Sequence, residues 1–154
     1  MRNLLPLALA AAVWLPAADT IRPNFTGTWK MNAAKSSFGQ LPRPLEYERN
    51  IDHKEPVIHI TVRQVGPTGG QSVEAMLRTD GKPTTNKYRS GEAKTTAEWE
   101  GRDLELTTAQ SIEGGDAVTR ETWSLSADGK TLTSITHMKT PRGAFDIKLV
   151  LEKT

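Results

Sequence analysis

Tyr47 and Arg49 lie two residues apart in the stretch LEYERNI, at a spacing that they share with Leu45 and Ile51. An arginine on an otherwise apolar face is unusual, because arginine is almost always exposed. If this face points into the interior of the protein, the guanidinium could bind an anionic head group and the phenol could add a hydrogen bond. The alternative is that Arg49 lies at a rim and extends its charged end into water.

Other side chains could line a binding site, although their pattern also allows a plainer interpretation. Arg120, on the face of its segment that carries Val118, is a second candidate for contact with an anionic ligand. Four residues, Trp99, Trp123, Phe145 and Met138, could line an apolar cavity, but at alternating spacing such residues also form an ordinary core. The predicted ligand-binding residues are therefore Tyr47, Arg49, Trp99, Arg120 and Met138.

Metal and cofactor chemistry has little support in the sequence. The chain has no cysteine, and His53, His59 and His137 do not show the spacing of a metal motif. His59 and His137 each lie opposite an apolar face, so we expect them to face solvent. A haem-binding barrel with His137 as the axial ligand is the alternative. We predict no metal and no cofactor.

No catalytic motif is present. The sequence contains neither a Gly-x-Ser-x-Gly elbow nor a phosphate-binding glycine loop. Most carboxylates alternate with apolar residues, as they do on the solvent side of a strand. We therefore predict a non-catalytic protein. An enzyme of another kind would need ionisable groups that converge on a polar pocket.

The segments that carry these residues alternate apolar and polar side chains, which is typical of half-buried strands. In residues 144–152, for example, Phe145, Ile147, Leu149 and Leu151 share one face. The same pattern predicts about ten strands, over residues 27–32, 45–53, 57–65, 72–79, 84–89, 93–100, 103–110, 117–125, 131–140 and 144–152.

Glycine-containing turns separate the strands and recur regularly from Gly91 to Gly143, which indicates consecutive antiparallel hairpins. The only candidate helix is a short turn within residues 33–40. An open sheet of so many strands would expose two edges, and closure removes them. The predicted fold is therefore all-β, a single antiparallel up-and-down barrel of about 8–10 strands. An open sandwich is the alternative.

The N-terminal residues 1–18, MRNLLPLALAAAVWLPAA, have the make-up of a secretory signal peptide. Their apolar run is shorter than the roughly 20 residues of a membrane-spanning helix. The alternative is an anchor that is not cleaved. Cleavage would leave a domain over residues 19–154 that is periplasmic or secreted and has no contact with the membrane. The absence of cysteine favours a bacterial envelope protein.

The charge of the chain does not indicate nucleic-acid binding. The sequence has 20 Lys and Arg against 18 Asp and Glu, and removal of Arg2 with the leader leaves 19 against 18. A nucleic-acid-binding domain concentrates basic residues on one face, and this sequence contains no block of like charges. We predict a monomer whose partner is a small apolar or amphipathic molecule.

The stretch Phe25-x-Gly27-Thr28-Trp29-Lys30 resembles the first-strand signature of the calycins, which include the lipocalins and the fatty-acid-binding proteins. The resemblance implies a barrel whose closed end is sealed by Trp29, with Gly27 allowing a close approach of the chain. It also implies that a molecule is carried inside. The alternative is an envelope interaction or structural barrel with a filled interior. An internal pocket above about 300 Å³ would favour binding.

Three features depart from the calycin pattern. Lipocalins place an arginine from a late strand over the tryptophan, whereas here the last strand carries Lys148 and Arg142 lies in a turn. Fatty-acid-binding proteins have two helices after the first strand, for which residues 33–44 are too few. They also hold the ligand carboxylate with an Arg-x-Tyr near the end of the chain, and this sequence has no such triplet. The architecture is therefore expected to transfer without the fatty-acid site.

Overall fold

The structure is a computed structural model, and it describes residues 21–154. The predicted signal peptide lies outside the described residues. Within this range every helix or strand element is a β-strand, and the strands begin and end close to the predicted bounds. They are β1 (Gly27–Met31), β2 (Glu46–Lys54), β3 (Val57–Gly66), β4 (Gly69–Arg78), β5 (Thr84–Tyr88), β6 (Gly91–Glu100), β7 (Asp103–Ile112), β8 (Gly115–Leu125), β9 (Thr131–Thr140) and β10 (Gly143–Lys153). Within residues 21–154, no helix has the length and apolar character needed to cross a membrane.

The strands form one antiparallel sheet in the order β4-β3-β2-β1-β10-β9-β8-β7-β6-β5. Neighbours in sequence are neighbours in the sheet, apart from β4 and β5. The first and last strands also pair, with Trp29 opposite Lys153 and Met31 opposite Leu151. This pairing joins the two halves of the sheet, whose edges β4 and β5 meet on the other side of an up-and-down barrel. The arrangement confirms the predicted fold class.

The barrel is nearly closed, because β4 and β5 share no strand ladder. The side chain of Asn86 bridges them instead. Its Oδ1 accepts from the backbone N of Met76 at 2.8 Å, and its Nδ2 donates to the backbone O of Met76 at 3.0 Å. Nearby, the backbone N of Gly81 donates to the O of Ala97 at 3.0 Å. An amide side chain thus stands where a continuous barrel would have backbone pairs.

Alternating hairpins give the barrel two ends. At one end, which we call the packed end, lie the turns after β2, β4, β6 and β8. At the other, which we call the cavity end, lie the turns after β3, β5, β7 and β9, together with the connection from β1 to β2.

The segment before β1 crosses the packed end and closes it. Phe25 is fully buried there, stacked on His53 and on Trp99 at 5.7 Å and edge-on to Trp123 at 5.5 Å between ring centroids. Its backbone N donates to Nδ1 of His53 at 3.2 Å. Since these partners lie on β2, β6 and β8, one side chain connects three parts of the wall.

Trp29 is also fully buried, and its indole N–H donates to the backbone O of Phe25 at 2.9 Å. The Nζ of Lys153 lies 5.3 Å from the ring centroid. The cation over this indole is therefore Lys153, and neither Lys148 nor Arg142 takes that place. Gly27 has φ +150°, a backbone conformation that other residues rarely adopt, so this position favours glycine.

The connection after β1 contains no helix, contrary to the short helical turn expected within residues 33–40. A turn at residues 33–35 is followed by an isolated bridge between Ser37 and Lys148. The two backbones exchange hydrogen bonds of 2.7 and 2.8 Å. Because the edge of β10 satisfies the backbone of Ser37, this segment continues the pairing of β1 instead of coiling.

The interior is filled toward the packed end and open toward the other. The largest fully buried side chains are Trp29, Trp123, Phe25, Ile58, Leu104, Leu132, Leu151 and Ser134. The apolar members of this set lie near the turns of the packed end, where they form one core with Ile51, and Ser134 is the polar member.

Candidate functional site

A cavity of about 330 Å³ lies inside the barrel, between the apolar core and the cavity end. Its walls come from every strand between β2 and β8, through Tyr47, Arg49, Ile60, Val62, Gln64, Val73, Ala75, Leu77, Tyr88, Thr95, Leu106, Thr108, Glu121 and Trp123. Within each strand these positions are two residues apart, because side chains of a strand alternate between the two faces of the sheet. The volume exceeds the roughly 300 Å³ at which small-molecule sites begin.

Arg49 lies inside this cavity and is only 7% exposed, so the alternative of a rim position is excluded. Its Nε and Nη2 donate to the hydroxyl of Tyr47 at 3.2 and 2.8 Å. Its Nη1 and Nη2 also donate to Oε1 of Glu121, at 3.4 and 3.5 Å. β2 thus supplies a Tyr-x-Arg pair that meets a carboxylate from β8 across the interior.

The guanidinium stays charged in spite of its burial. Burial alone would lower the pKa of Arg49, but Tyr47 and Glu121 beside it raise that pKa above its ordinary value. The guanidinium also lies over the ring of Trp123, with Cζ 4.8 Å from the ring centroid. An aromatic face attracts a cation that water no longer surrounds.

Glu121 is the central acceptor of this cluster, and the sequence prediction did not include it. Its Oε1 accepts from Arg49, from the hydroxyl of Ser134 at 2.6 Å and from the indole N–H of Trp123. The sequence signal was a carboxylate on the same face of β8 as Trp123 and Leu125. A charged group at that position needs an internal partner.

Tyr88 is a further residue of the cavity wall that the sequence prediction missed. Burial, with the negative charge of Glu121 as the smaller cause, raises the pKa of the Tyr88 phenol. The phenol therefore remains protonated at neutral pH. It stands on the short strand β5, next to the gap that Asn86 bridges.

The structure brings together two of the five predicted ligand-binding residues, Tyr47 and Arg49. Trp99 lies at the packed end, where its indole N–H donates to Oε1 of Glu55 at 3.0 Å. Met138 is half-buried on β9 and is not one of the residues that line the cavity. Arg120 is exposed on the outer face of β8. Contact of any of these residues with a ligand stays a prediction.

The three histidines occupy two kinds of environment. His59 and His137 are exposed on the outside of the barrel, as expected. His53 is buried, with Nε2 3.0 Å from Oε1 of Glu55. Because Nδ1 accepts from the backbone of Phe25, Nε2 is the nitrogen that donates to this carboxylate. Over residues 21–154, no group of three or more histidine, aspartate or glutamate side chains could hold a metal ion.

Solved structures with the same fold include small-molecule-binding and secretory proteins. The zebrafish ileal bile acid-binding protein, complexed with cholic acid, is 16% identical, with a TM-score of 0.59 over 84% of this chain and 98% of that chain. A secretory abundant heat soluble protein of Ramazzottius varieornatus is 12% identical, with a TM-score of 0.62 over 84% and 94%. Secretory abundant heat soluble protein 4 of that organism is 14% identical, with a TM-score of 0.59 over the same shares.

No protein-family model and no curated protein sequence matches the chain. At these identities the structural neighbours show the fold, which is a calycin-like β-barrel. The described residues also show the expected departure from fatty-acid-binding proteins, since a short connection without helices follows β1.

Proposed function

We propose that the protein binds a small amphipathic molecule non-covalently inside the barrel. The observation that carries this proposal is the cavity of about 330 Å³, which combines an apolar wall with one cluster of polar groups. Small-molecule sites have this composition, because the apolar wall supplies affinity and a few polar groups set orientation. A barrel that serves only as a structural or interaction domain would fill this volume with side chains.

The two parts of the cavity match the two parts of such a ligand. Ile60, Val62, Leu77 and Leu106 offer an apolar surface to a hydrocarbon portion, and the cluster around Arg49 offers hydrogen bonds to a head group. The fold can accommodate such a ligand, since the zebrafish neighbour is complexed with cholic acid. We propose a binding role without catalysis, in which the hydrogen-bonded cluster of Arg49, Tyr47 and Glu121 orients the head group of the ligand.

The experiment compares two alanine-to-phenylalanine variants. Ala75 lies in the cavity wall on β4, whereas Ala109 is exposed on the outer face of β7. Ala75→Phe should weaken the binding of a fluorescent amphiphile about tenfold or more by filling the cavity, and Ala109→Phe should leave it unchanged. Circular dichroism verifies that both variants fold. Equal affinities in both variants would place binding outside the cavity and overturn the proposal.

The ligand itself can be sought by native mass spectrometry of the protein purified from its own cells without denaturation. A reproducible adduct that Ala75→Phe removes would identify it. If the barrel instead has a purely structural role, native mass spectrometry should show only the mass of the protein, and the fluorescent amphiphile should not bind.

We further propose that the protein acts outside the cytoplasm, on the basis of the leader-like residues 1–18. Intact-mass analysis of the protein from cells should then show a chain that begins at or next to Asp19. A full-length mass in the cytoplasmic fraction would contradict export.

A further inference from the structure

We infer that the cavity selects an uncharged head group with both a hydrogen-bond donor and an acceptor, such as a primary amide or a hydroxyl, and disfavours a carboxylate. This inference rests on the proposed function and names the ligand class for the same cavity. It depends on the hydrogen bonds and the ion pair that Arg49 already makes inside the barrel.

The donors of Arg49 are largely occupied by the protein itself. The guanidinium has five N–H groups, and four hydrogen bonds go to Tyr47 and Glu121. One face of the group lies over Trp123. A ligand carboxylate is held best by two parallel N–H groups. The pair formed by Nη1 and Nη2 points at Oε1 of Glu121, so a carboxylate would have to displace that side chain.

Glu121 also makes the site unfavourable for a second negative charge. Its carboxylate and the guanidinium of Arg49 together bring no net charge to the cavity wall. An anionic head group placed beside Arg49 would lie next to Glu121, and like charges repel strongly where little water screens them. Burial is the main cause of the raised pKa of Tyr88, and the negative charge of Glu121 on this side of the cavity adds to it.

The groups that remain suit an uncharged partner. Every hydrogen bond that residues 21–154 donate to the Glu121 carboxylate ends at Oε1, which leaves Oε2 as an acceptor. The Tyr47 oxygen accepts two bonds from Arg49, so its own proton can be donated to a ligand. An amide or hydroxyl can donate to Glu121 and accept from Tyr47, whereas a carboxylate can only accept.

The experiment titrates the folded protein with octanamide, octan-1-ol and octanoate at neutral pH, and calorimetry measures each affinity. These probes share one chain and differ in the head group. On the wild type, octanamide and octan-1-ol should bind about tenfold or more tightly than octanoate, because only octanoate meets Glu121 with a like charge. Glu121→Gln should raise the affinity for octanoate about tenfold, since it frees a cation and removes an anion.

Glu105→Gln is the matched control, because Glu105 is exposed on the outer face of β7 and bonds to Thr122. This variant should bind the three probes with the same order of affinities as the wild type. If octanoate binds the wild type most tightly, the inference is wrong and the proposed function stands. If no probe binds the wild type, both are wrong. Should Glu121→Gln fail to fold, the order of affinities on the wild type decides by itself.

Discussion

The two ends of the barrel use similar residues for different purposes. At the packed end, the indole N–H of Trp99 and the ring of His53 both bond to Oε1 of Glu55. In the cavity, the indole N–H of Trp123 and the guanidinium of Arg49 both bond to Oε1 of Glu121. Each arrangement ties an aromatic residue and a basic residue to one carboxylate.

The two arrangements differ in what surrounds them. Around His53, the ring of Phe25 stacks on the imidazole, and Thr79 bonds to the second oxygen of Glu55. Around Arg49, the space stays open, and none of the hydrogen bonds that residues 21–154 make with Glu121 uses its second oxygen. A barrel can therefore place its stability at one end and keep binding groups available at the other. Substitutions at the two ends should have correspondingly different effects.

The largest effect should follow from Phe25→Ala. The side chain is fully buried against three aromatic rings, so its loss leaves a cavity in the core. We expect the free energy of unfolding to fall by about 3–5 kcal/mol, measured by urea denaturation. Phe145→Ala, at a half-buried position near the cavity end, is the control and should cost clearly less. Equal losses would show that the two ends do not differ in packing.

The second effect concerns the gap in the wall. Asn86→Ala removes both hydrogen bonds to the backbone of Met76, so two backbone groups lose their partner. We expect a loss of about 2 kcal/mol and faster hydrogen exchange at the amide of Met76. Asn50→Ala, which removes surface hydrogen bonds to Thr28 and Glu48, is the control. An unchanged exchange rate at Met76 would mean that Asn86 does not hold β4 and β5 together.

The strands and the pairing of β1 with β10 were predictable, because alternation and regular turns extend along the chain. The gap was not, since the bond between Asn86 and Met76 depends on where two edges of the sheet meet. The position of Lys153 over the ring of Trp29 was not predicted either, because it depends on how β1 and β10 are aligned. A strand pattern does not reveal the register between residues more than a hundred positions apart.

In the polar cluster of the cavity, Tyr47 and Arg49 were predicted from the sequence, whereas Glu121 was not. Arg49 was conspicuous on an apolar face, whereas Glu121 lies in the run Thr119, Glu121, Trp123, which carries polar and apolar residues on one face. Glutamate in a strand is usually solvent-facing. Its inward position becomes clear only once Trp123 is known to be buried.

A smaller effect should follow from Lys153→Ala, which removes the cation over Trp29. An exposed cation–π contact contributes about 0.5–1 kcal/mol, so the free energy of unfolding should fall by that amount. Lys148→Ala on the same strand is the control. Urea denaturation measures the free energy of unfolding of both variants. A loss as large for Lys148→Ala as for Lys153→Ala would count against the contact.

The smallest effect concerns the dependence of stability on pH at the packed end. Burial alone would raise the pKa of Glu55, but hydrogen bonds from Thr79, His53 and Trp99 lower it below its ordinary value. The folded state therefore favours the charged carboxylate. The resulting stability is fully present above the pKa of the unfolded chain, and it is lost as the pH falls through the lower pKa of the folded protein.

Because nearly half of the Glu55 side chain is exposed, this contribution should stay below about 1 kcal/mol. Glu55→Gln should remove it, so the difference in free energy of unfolding between wild type and variant should shrink with acidification. A difference that is constant with pH would show that Glu55 has no shifted pKa. The affinity for octanamide at neutral pH should not change in this variant, since the core formed by Phe25 and its neighbours separates Glu55 from the cavity.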